Sequence, residues 1–434
     1  MLSLTWPVIL ANLTIPLVGS VDTAVMGRLP DPAYIGAVAV GATIFSAMYW
    51  LFGFLRMGTT GLAAQAFGAL DAQELSAVAQ RALGLALVIG AALLLLQWPI
   101  QQSALALMHG SEQVQGLAHS YFRIRIWGAP AALLYLSILG MLFGLQRMKD
   151  ALVLGLVLNI TNASLDVLFV LGFNWGVEGV AVGTVVSEWL AVAIGVLLLR
   201  RALSDHGVSL RWHASAWQAT FLRPLLANSG NLLVRSFFVQ APFFAYTAVG
   251  ARLGDLTLAA NAVLMQFFFV LIYAMDAFAH TAETLAGQAY GAHNQQRFSL
   301  VVRYTTIWAA LLAGLGTLLF LFAHEPLIAL FTKSTAVRDE AASYAIWLVL
   351  APMASVWAFQ LDGIFIGTTQ TATMRNAMGL SFIVFVFVLW ASLDNIGNHG
   401  LWLAMLAFML ARAVLLGRHY PRLLATIEGR SISR

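Results

Sequence analysis

Asp22 and Asp166 are carboxylates within long apolar segments, where an ionised group is costly. Asn162 precedes Asp166 by four residues, so both side chains lie on the same side of a helix. Two neighbouring buried carboxylates do not both stay ionised, so one of them can exchange a proton. Carboxylate and amide oxygens are also the ligands that hard cations such as Na⁺ prefer. These residue types therefore indicate proton exchange or cation binding.

The composition indicates that these carboxylates lie in a membrane. Of the 434 residues, 60% are hydrophobic and 10% charged, whereas soluble domains carry about 25% charged residues. We expect an all-α integral membrane protein. The formal charge of +4 does not indicate nucleic acid, because the basic residues lie in short loops. The absence of cysteine excludes disulfides, thiolate metal sites and cysteine nucleophiles. We also expect no other metal site and no cofactor.

Twelve apolar segments are long enough to cross a hydrocarbon core of about 30 Å. They are residues 3–27, 34–67, 78–104, 114–146, 150–173, 177–203, 221–250, 257–290, 298–323, 338–369, 374–391 and 398–418. The first lacks a preceding basic region, so we expect a membrane helix there rather than a cleaved signal peptide. Fourteen Lys and Arg residues follow even-numbered segments or lie in the C-terminal tail, against four in the other loops. This asymmetry predicts a multi-pass inner-membrane protein with both termini in the cytoplasm.

An internal repeat relates the two halves of the chain. The segment Leu62–Ala69 returns as Leu285–Ala292, 223 positions later, with six of eight residues identical. The repeat predicts two six-helix lobes, residues 1–203 and 221–434, joined by a cytoplasmic linker at 204–220. Because six helices return the chain to its starting side, the lobes are expected to be related by a pseudo-two-fold axis along the membrane normal. Duplicated halves of this kind are typical of secondary transporters.

Five polar residues of the N-terminal half fall in one layer of the membrane. With a rise of about 1.5 Å per residue, Asp22 lies about 8 Å and Asp166 about 10 Å below the outer ends of their helices. The same estimate gives a similar depth for Thr184 and Tyr121, and the layer is Asp22, Tyr121, Asn162, Asp166 and Thr184. The repeat matches only Tyr121, by Tyr344, so this cluster belongs to one half. A purely architectural cluster would more naturally occur in both.

Several of these motifs together resemble a known transporter family. They are Pro7, the Asp22 segment ending in Met26-Gly27, the Leu62–Gly68 motif with its copy at Leu285–Gly291, and the pair Asn162 and Asp166. Over essentially its whole length the chain resembles the multidrug and toxic compound extrusion (MATE) transporters, and most of all their DinF branch. The resemblance implies a V-shaped pair of six-helix lobes and export of drugs driven by a cation.

The resemblance also implies a cation site in the N-terminal lobe. Its helix 1 Asp, helix 4 Tyr, helix 5 Asn and Asp, and helix 6 Thr match Asp22, Tyr121, Asn162, Asp166 and Thr184. Other MATE branches use an acidic residue in the seventh helix, where this chain has Arg235 and no carboxylate. This departure argues against a cation site of that kind in the C-terminal lobe.

The expected mechanism starts from protonation of Asp22 on the outer side of the membrane. Pro7 and Pro16 interrupt the hydrogen bonds of the first helix and make it a bending element. Loss of the charge on Asp22 then bends this helix, contracts the cavity and releases a lipophilic cationic compound outward. We favour the proton over Na⁺ as the coupling ion, although the oxygens of the site suit either.

Other intramembrane ionisable groups are secondary candidates. Asp276, His280 and Glu283 form a stripe towards the cytoplasmic end of the eighth segment, and are expected to act as a gate or to contact substrate. Asp362 resembles an acidic position that some relatives use for a cation or substrate. Arg123, Arg125 and Glu188 are expected to be interhelical partners or to extend their charged ends to the membrane interface.

Rival functions lack their characteristic residues. A membrane enzyme would need a reactive constellation such as paired Asp-rich motifs or a histidine cluster, and the sequence has none. A flippase for a lipid-linked precursor would need many cations for the pyrophosphate, whereas central carboxylates dominate here. We expect a monomer that acts on small lipophilic cations within the bilayer.

Overall fold

The structure, a computed structural model, describes residues 2–28, 31, 33–107, 111–209 and 217–432, without the side chains of 13–24, 219, 221 and 428–432. Within these ranges the chain is helical and has no strand, which confirms the all-α prediction. The helices are α1 (Leu2–Met26), α2 (Ala33–Leu51), α3 (Phe54–Gly68), α4 (Ala72–Leu95), α5 (Gln97–Leu107), α6 (Glu112–Arg125), α7 (Ala129–Gly144), α8 (Met148–Asp166), α9 (Gly176–Ser204), α10 (Ala219–Arg252), α11 (Asp255–Gly291), α12 (Gln295–Phe331), α13 (Thr335–Gly367), α14 (Thr371–Ile396) and α15 (Asn398–Ile432).

Each of the twelve predicted segments contains helix, and three of them are interrupted. The second divides at Phe52 and Gly53 into α2 and α3, and the third divides into α4 and α5. A 3₁₀ turn at Ile126–Gly128 separates α6 from α7, and Pro130 stands at the start of α7. Eleven helical stretches of the described residues are apolar and long enough to span a membrane. The part of α1 whose side chains are described before residue 13 is the shorter apolar stretch Leu2–Asn12.

The helices group into two units by their contacts. One contains residues 6–223, and the other contains residues 224–434 with residues 1–5. In the first unit α7 is central and packs against α3, α4 and α9. In the second unit α13 packs against α11, α12 and α15. The division into 1–203, 204–220 and 221–434 stays a prediction, and residues 210–216 of the predicted linker lie outside the described residues.

Helix starts repeat at the same offset as the sequence motifs. The Asp71 side chain accepts the backbone N–H of the third residue of α4, and Asn294 does the same for α12, at 2.9 and 2.8 Å. Ser111 and Ser334 cap α6 and α13 through the same kind of bond. Each pair is separated by 223 residues, so the duplication extends to how helices begin.

Left-handed backbone residues repeat in the same way. Such residues terminate helices by letting the chain fold back on its last carbonyl groups. The equivalent pairs Leu70 with His293 and Gln146 with Thr369 have φ between 52° and 60° and are followed by matching backbone hydrogen bonds. Asn174 and Gly397 also share a positive φ, but Gly397 has ψ of −127°. The two units therefore share the first two of these turns.

Close helix packing is the structural reason for the repeated glycines. A Cβ on Gly140 would lie 2.6 Å from the Arg56 carbonyl oxygen of α3. The equivalent Gly363 meets the carbonyl oxygen of Ala279 on α11, which is the repeat position of Arg56. Neither contact leaves room for a side chain. The glycines therefore allow α7 and α13 to approach α3 and α11 closely, as small residues do in membrane helices.

Candidate functional site

Asn162 and Thr184 join α8 to α9 inside the N-terminal unit. Asn162 is 3% exposed, and its Nδ2 donates to Thr184 Oγ1 at 3.1 Å. The Thr184 hydroxyl in turn donates to the Val180 carbonyl oxygen at 2.8 Å. The remaining Asn162 atom, Oδ1, is buried without a hydrogen-bond partner among the described residues. The pair thus has a fixed orientation and one buried amide oxygen still able to accept a hydrogen bond or ligate a cation.

Asp166 lies one turn beyond Asn162 and is completely buried. Its carboxylate contacts α9 at Gly183, where a Cβ would lie 2.5 Å from Asp166 Oδ1. Asp166 is also the last residue of α8 before a π-helical turn at Val167–Gly172. Such turns are rare and frequently occur at functional sites. The structure therefore brings Asn162, Asp166 and Thr184 together, on a helix pair that Gly183 allows to approach closely.

Tyr121 lies on α6 and its ring packs against α2. It is 4% exposed, and a Cβ on Gly41 would lie 2.6 Å from its Cε1 atom. The ring also meets Phe45 edge-on, with centroids 6.3 Å apart. These contacts anchor the phenol between α6 and α2. Its participation in the predicted layer stays a prediction.

An ion pair connects α6 and α9 one helical turn beyond Tyr121 and Thr184. Arg125 donates two hydrogen bonds to Glu188, at 2.8 and 2.6 Å, and a third to the Tyr49 hydroxyl at 3.2 Å. Arg125 and Glu188 are 6% and 7% exposed. The bidentate geometry compensates both charges, as a buried pair requires. The pair holds the elements that carry the predicted site.

The first helix carries the remaining predicted residues. α1 is continuous from Leu2 to Met26, and Pro7 is buried within it. The side chains of Pro16 and Asp22 lie outside the described residues. The role of Asp22 in the site and the bending of α1 therefore stay predictions.

The secondary candidates on α11 form one histidine between two carboxylates. His280 Nδ1 lies 3.3 Å from Glu283 Oε2, and His280 Nε2 lies 3.9 Å from Asp276 Oδ2. Glu283 is fully buried, whereas the Asp276 side chain is 39% exposed. The stripe is a local electrostatic cluster, and its role as a gate or substrate contact stays a prediction.

Asp362 lies between two arginines in the C-terminal unit. Arg235 of α10 and Arg412 of α15 each donate to Asp362 Oδ2 at 2.5 Å. All three residues are buried. Sequence reasoning missed Arg412 and Gly183. A charged residue in the apolar run of α15 was the available signal for Arg412, whereas nothing in the sequence placed Gly183 against Asp166.

Solved structures identify the class of the fold. A MATE transporter in the bent conformation superimposes with a TM-score of 0.90 at 18% identity, covering 99% of this chain and 96% of that one. A MOP superfamily transporter from Pyrococcus furiosus gives a TM-score of 0.85 at 18% identity, with 98% and 95% covered. The chain therefore has the twelve-helix, two-lobe transporter fold.

Sequence relatives identify the family. The MatE family model matches residues 7–168 and 232–391. The chain is 42% identical over 419 residues to DNA damage-inducible protein F of Escherichia coli K12, covering 96% of this chain and 91% of that protein. It is 23% identical to the probable multidrug resistance protein NorM of Acinetobacter baylyi, with 95% and 93% covered. The chain belongs to the MATE family and is a transporter rather than an enzyme, which confirms the predicted family and its DinF branch.

Proposed function

We propose that the chain is a secondary active antiporter that exports lipophilic cationic compounds in exchange for protons. The proposed coupling site is Asp22, Tyr121, Asn162, Asp166 and Thr184 in the N-terminal unit. The observation that supports it is the complete burial of the Asp166 carboxylate beside the Asn162–Thr184 pair. Relatives named as multidrug resistance proteins support the substrate class.

Competition for one negative charge explains how such a site couples two movements. A buried carboxylate without a cation is costly in a low-dielectric interior, so either a proton or an organic cation must compensate it. Binding of one therefore displaces the other, which is antiport. Protonation of Asp22 from outside would bend α1 at Pro7 and Pro16, contract the cavity and release the compound.

The proposal includes an arrangement in the cell. The protein would act as a monomer in the inner membrane with both termini in the cytoplasm, so that protons enter from the outer side. The carboxylates and the bound ion provide the coupling chemistry, so the mechanism needs no cofactor.

A Na⁺-coupled antiporter of the same fold is the second candidate. Asn162 Oδ1 is a buried oxygen without a hydrogen-bond partner among the described residues, and it lies on the same helix face as Asp166. An amide oxygen, a carboxylate and the Thr184 hydroxyl are hard ligands suitable for Na⁺. This open acceptor is the specific observation that favours sodium.

Reconstitution in proteoliposomes tests the proposal. Export of a cationic dye is measured with a pH gradient and no sodium, and with a sodium gradient and no pH gradient. We expect export on the pH gradient alone, abolished in Asp22→Asn and in Asp166→Asn. Asp205→Asn is the matched control, because its half-exposed side chain pairs with Arg147 away from the site. Transport that requires sodium would select the second candidate, and full activity of both site variants would refute the coupling site.

A further inference from the structure

We propose that Arg235, Asp362 and Arg412 form an anion subsite that binds the carboxylate of transported compounds. In the absence of such a compound, the Asp362 carboxylate occupies the arginines as an internal counter-ion. The inference rests on the proposed export function and adds a second chemical feature to its substrates. Compounds that carry a carboxylate beside a lipophilic cationic part would then be preferred.

The charge balance of the cluster supports an anion site. Two guanidinium groups face one carboxylate, and their side chains are 8%, 1% and 6% exposed for Arg235, Arg412 and Asp362. The three side chains together carry one formal positive charge, and a positive potential in an apolar interior favours an anion. The negative charge of Asp276 also attracts Arg412. The Asp276 side chain is 39% exposed, however, so water screens its charge, and the same carboxylate faces His280.

The hydrogen bonds of the cluster are also incomplete. Both arginines donate to the same atom, Asp362 Oδ2, while Asp362 Oδ1 is buried without a hydrogen-bond partner in the described part of the chain. The same holds for Arg412 Nε, and Arg412 Nη1 reaches the sulfur of Met409 at 3.2 Å. A guanidinium binds a carboxylate best through two parallel bonds. Arg412 therefore keeps donors that a ligand carboxylate would engage.

The Arg125–Glu188 pair shows what a structural ion pair looks like in this protein. It is neutral and bidentate, with both carboxylate oxygens engaged. The C-terminal triad is neither.

Two aromatic rings flank the guanidinium of Arg412. The guanidinium lies 5.4 Å from the ring centroids of both Phe359 and Phe408. Cation–π contacts of this kind hold the planar group without using its N–H donors. Because a ligand carboxylate carries the same group as Asp362, it can take the place of that side chain on Arg412.

A matched pair of dyes tests the subsite on the full-length protein. The probes are a rhodamine with a free carboxylate and the methyl ester of the same dye. Binding in detergent and export from proteoliposomes are measured for both. We expect Arg412→Gln to weaken binding of the acid about tenfold, the effect of losing about 1.4 kcal/mol of charged hydrogen bonding. Binding of the ester should change less than about twofold, since it makes no such bond.

Asp362→Asn provides the opposite expectation. It removes the internal competitor, so binding of the acid should tighten several-fold while binding of the ester stays unchanged. Arg297→Gln is the control, because Arg297 is exposed at the start of α12. If Arg412→Gln is not recovered folded, Arg412→Lys replaces it. Lysine keeps the positive charge but lacks the planar guanidinium that makes two parallel hydrogen bonds, so this variant should weaken binding of the acid and not of the ester.

The outcomes separate the two proposals. The subsite would be overturned if every variant changed the binding of acid and ester equally. It would also be overturned if the Arg412 variants bound the acid as tightly as the wild type does. Either result would show that the triad is structural. Absence of export of either dye by the wild type would refute the proposed export function. In that case the binding ratio of acid to ester still decides the anion subsite.

Discussion

The Asp166 carboxylate lies directly against the α-carbon of Gly183, with Oδ1 only 2.5 Å from the place that a Cβ would occupy. A buried carboxylate is thus held by the backbone of the neighbouring helix as well as by its own. Any side chain at position 183 would push α9 away from α8 or rotate Asp166 out of place. Either movement would also strain the bond from Asn162 to Thr184, since Thr184 is the next residue.

Gly183→Ala should impair transport more than it impairs folding. The added methyl group overpacks the site, which costs about 1–3 kcal/mol, and displaces the carboxylate that the coupling requires. Dye export and the thermal unfolding midpoint are measured together. Gly155→Ala on α8 is the control, since its Cβ would meet the Tyr135 hydroxyl at an ordinary 3.7 Å. Normal export by a folded Gly183→Ala protein would contradict the role of this contact.

Thr184→Val should distinguish the two coupling ions. The substitution keeps the shape of the side chain and removes the oxygen that accepts from Asn162. Leaving that buried amide unpaired costs about 1–3 kcal/mol in either case. If Na⁺ is the ion, the sodium concentration for half-maximal transport should also rise about tenfold, the effect of about 1.4 kcal/mol. If the proton is the ion, sodium should have no effect on either protein.

The control for this experiment is Thr43→Val. The Thr43 hydroxyl donates to Ala39 of its own helix and is exposed, so its loss should leave both transport and ion dependence unchanged. A sodium requirement altered equally by Thr43→Val and Thr184→Val would exclude a specific ligand role for Thr184.

Hydropathy predicted the existence of the helices because each apolar run needs internally satisfied backbone groups within a bilayer. It did not predict the breaks at Phe52–Gly53 and Ile126–Gly128, since apolar residues continue through both. The repeat predicted equivalent halves, and the structure extends this equivalence to caps and turns such as Asp71 with Asn294. Sequence identity is low at most of these positions, so the motifs alone could not reveal it.

The proximity of three candidate residues was predictable where helical geometry sufficed. Spacing predicted that Asn162 and Asp166 share one face, and the bond from Asn162 to Thr184 agrees with the expected proximity of Thr184. Gly183 could not be found this way, because its role depends on how two helices touch. The role of Arg412 could not be predicted for a related reason, since its partner Asp362 lies 50 residues earlier on another helix. Sequence shows that a buried charge needs a partner, but pairing is a property of the packing.

Breaking the Arg125–Glu188 pair should be strongly destabilising. Arg125→Met leaves Glu188 buried without compensation, at a cost of about 3–5 kcal/mol. The double variant Arg125→Met/Glu188→Leu should be less destabilised than Arg125→Met alone, because it removes the stranded charge. Unfolding in detergent is measured for both single variants and the double variant, as a double-mutant cycle.

The pair Arg147 and Asp150 provides the comparison. These side chains are 30% and 22% exposed and three residues apart, so the same kind of disruption should cost about 0–1 kcal/mol. Equal costs for the two pairs would contradict the view that burial decides the contribution of the ion pair.

Equivalent glycines of the two units should respond alike to substitution. A Cβ on Gly144 would lie 2.6 Å from Ala63 Cβ, and one on Gly367 would press on the carbonyl oxygen of Glu283. Gly144→Ala and Gly367→Ala should each destabilise by about 1–3 kcal/mol, because the facing helix must move. Gly314→Ala on α12 is the control: among the described residues, no atom beyond the adjoining backbone of α12 lies within 4 Å of an added Cβ, so the change should be neutral or stabilise by up to about 1 kcal/mol. Unfolding midpoints are measured for the three variants. A midpoint lowered by Gly144→Ala but unchanged by Gly367→Ala would show that the two units do not depend on the same packing.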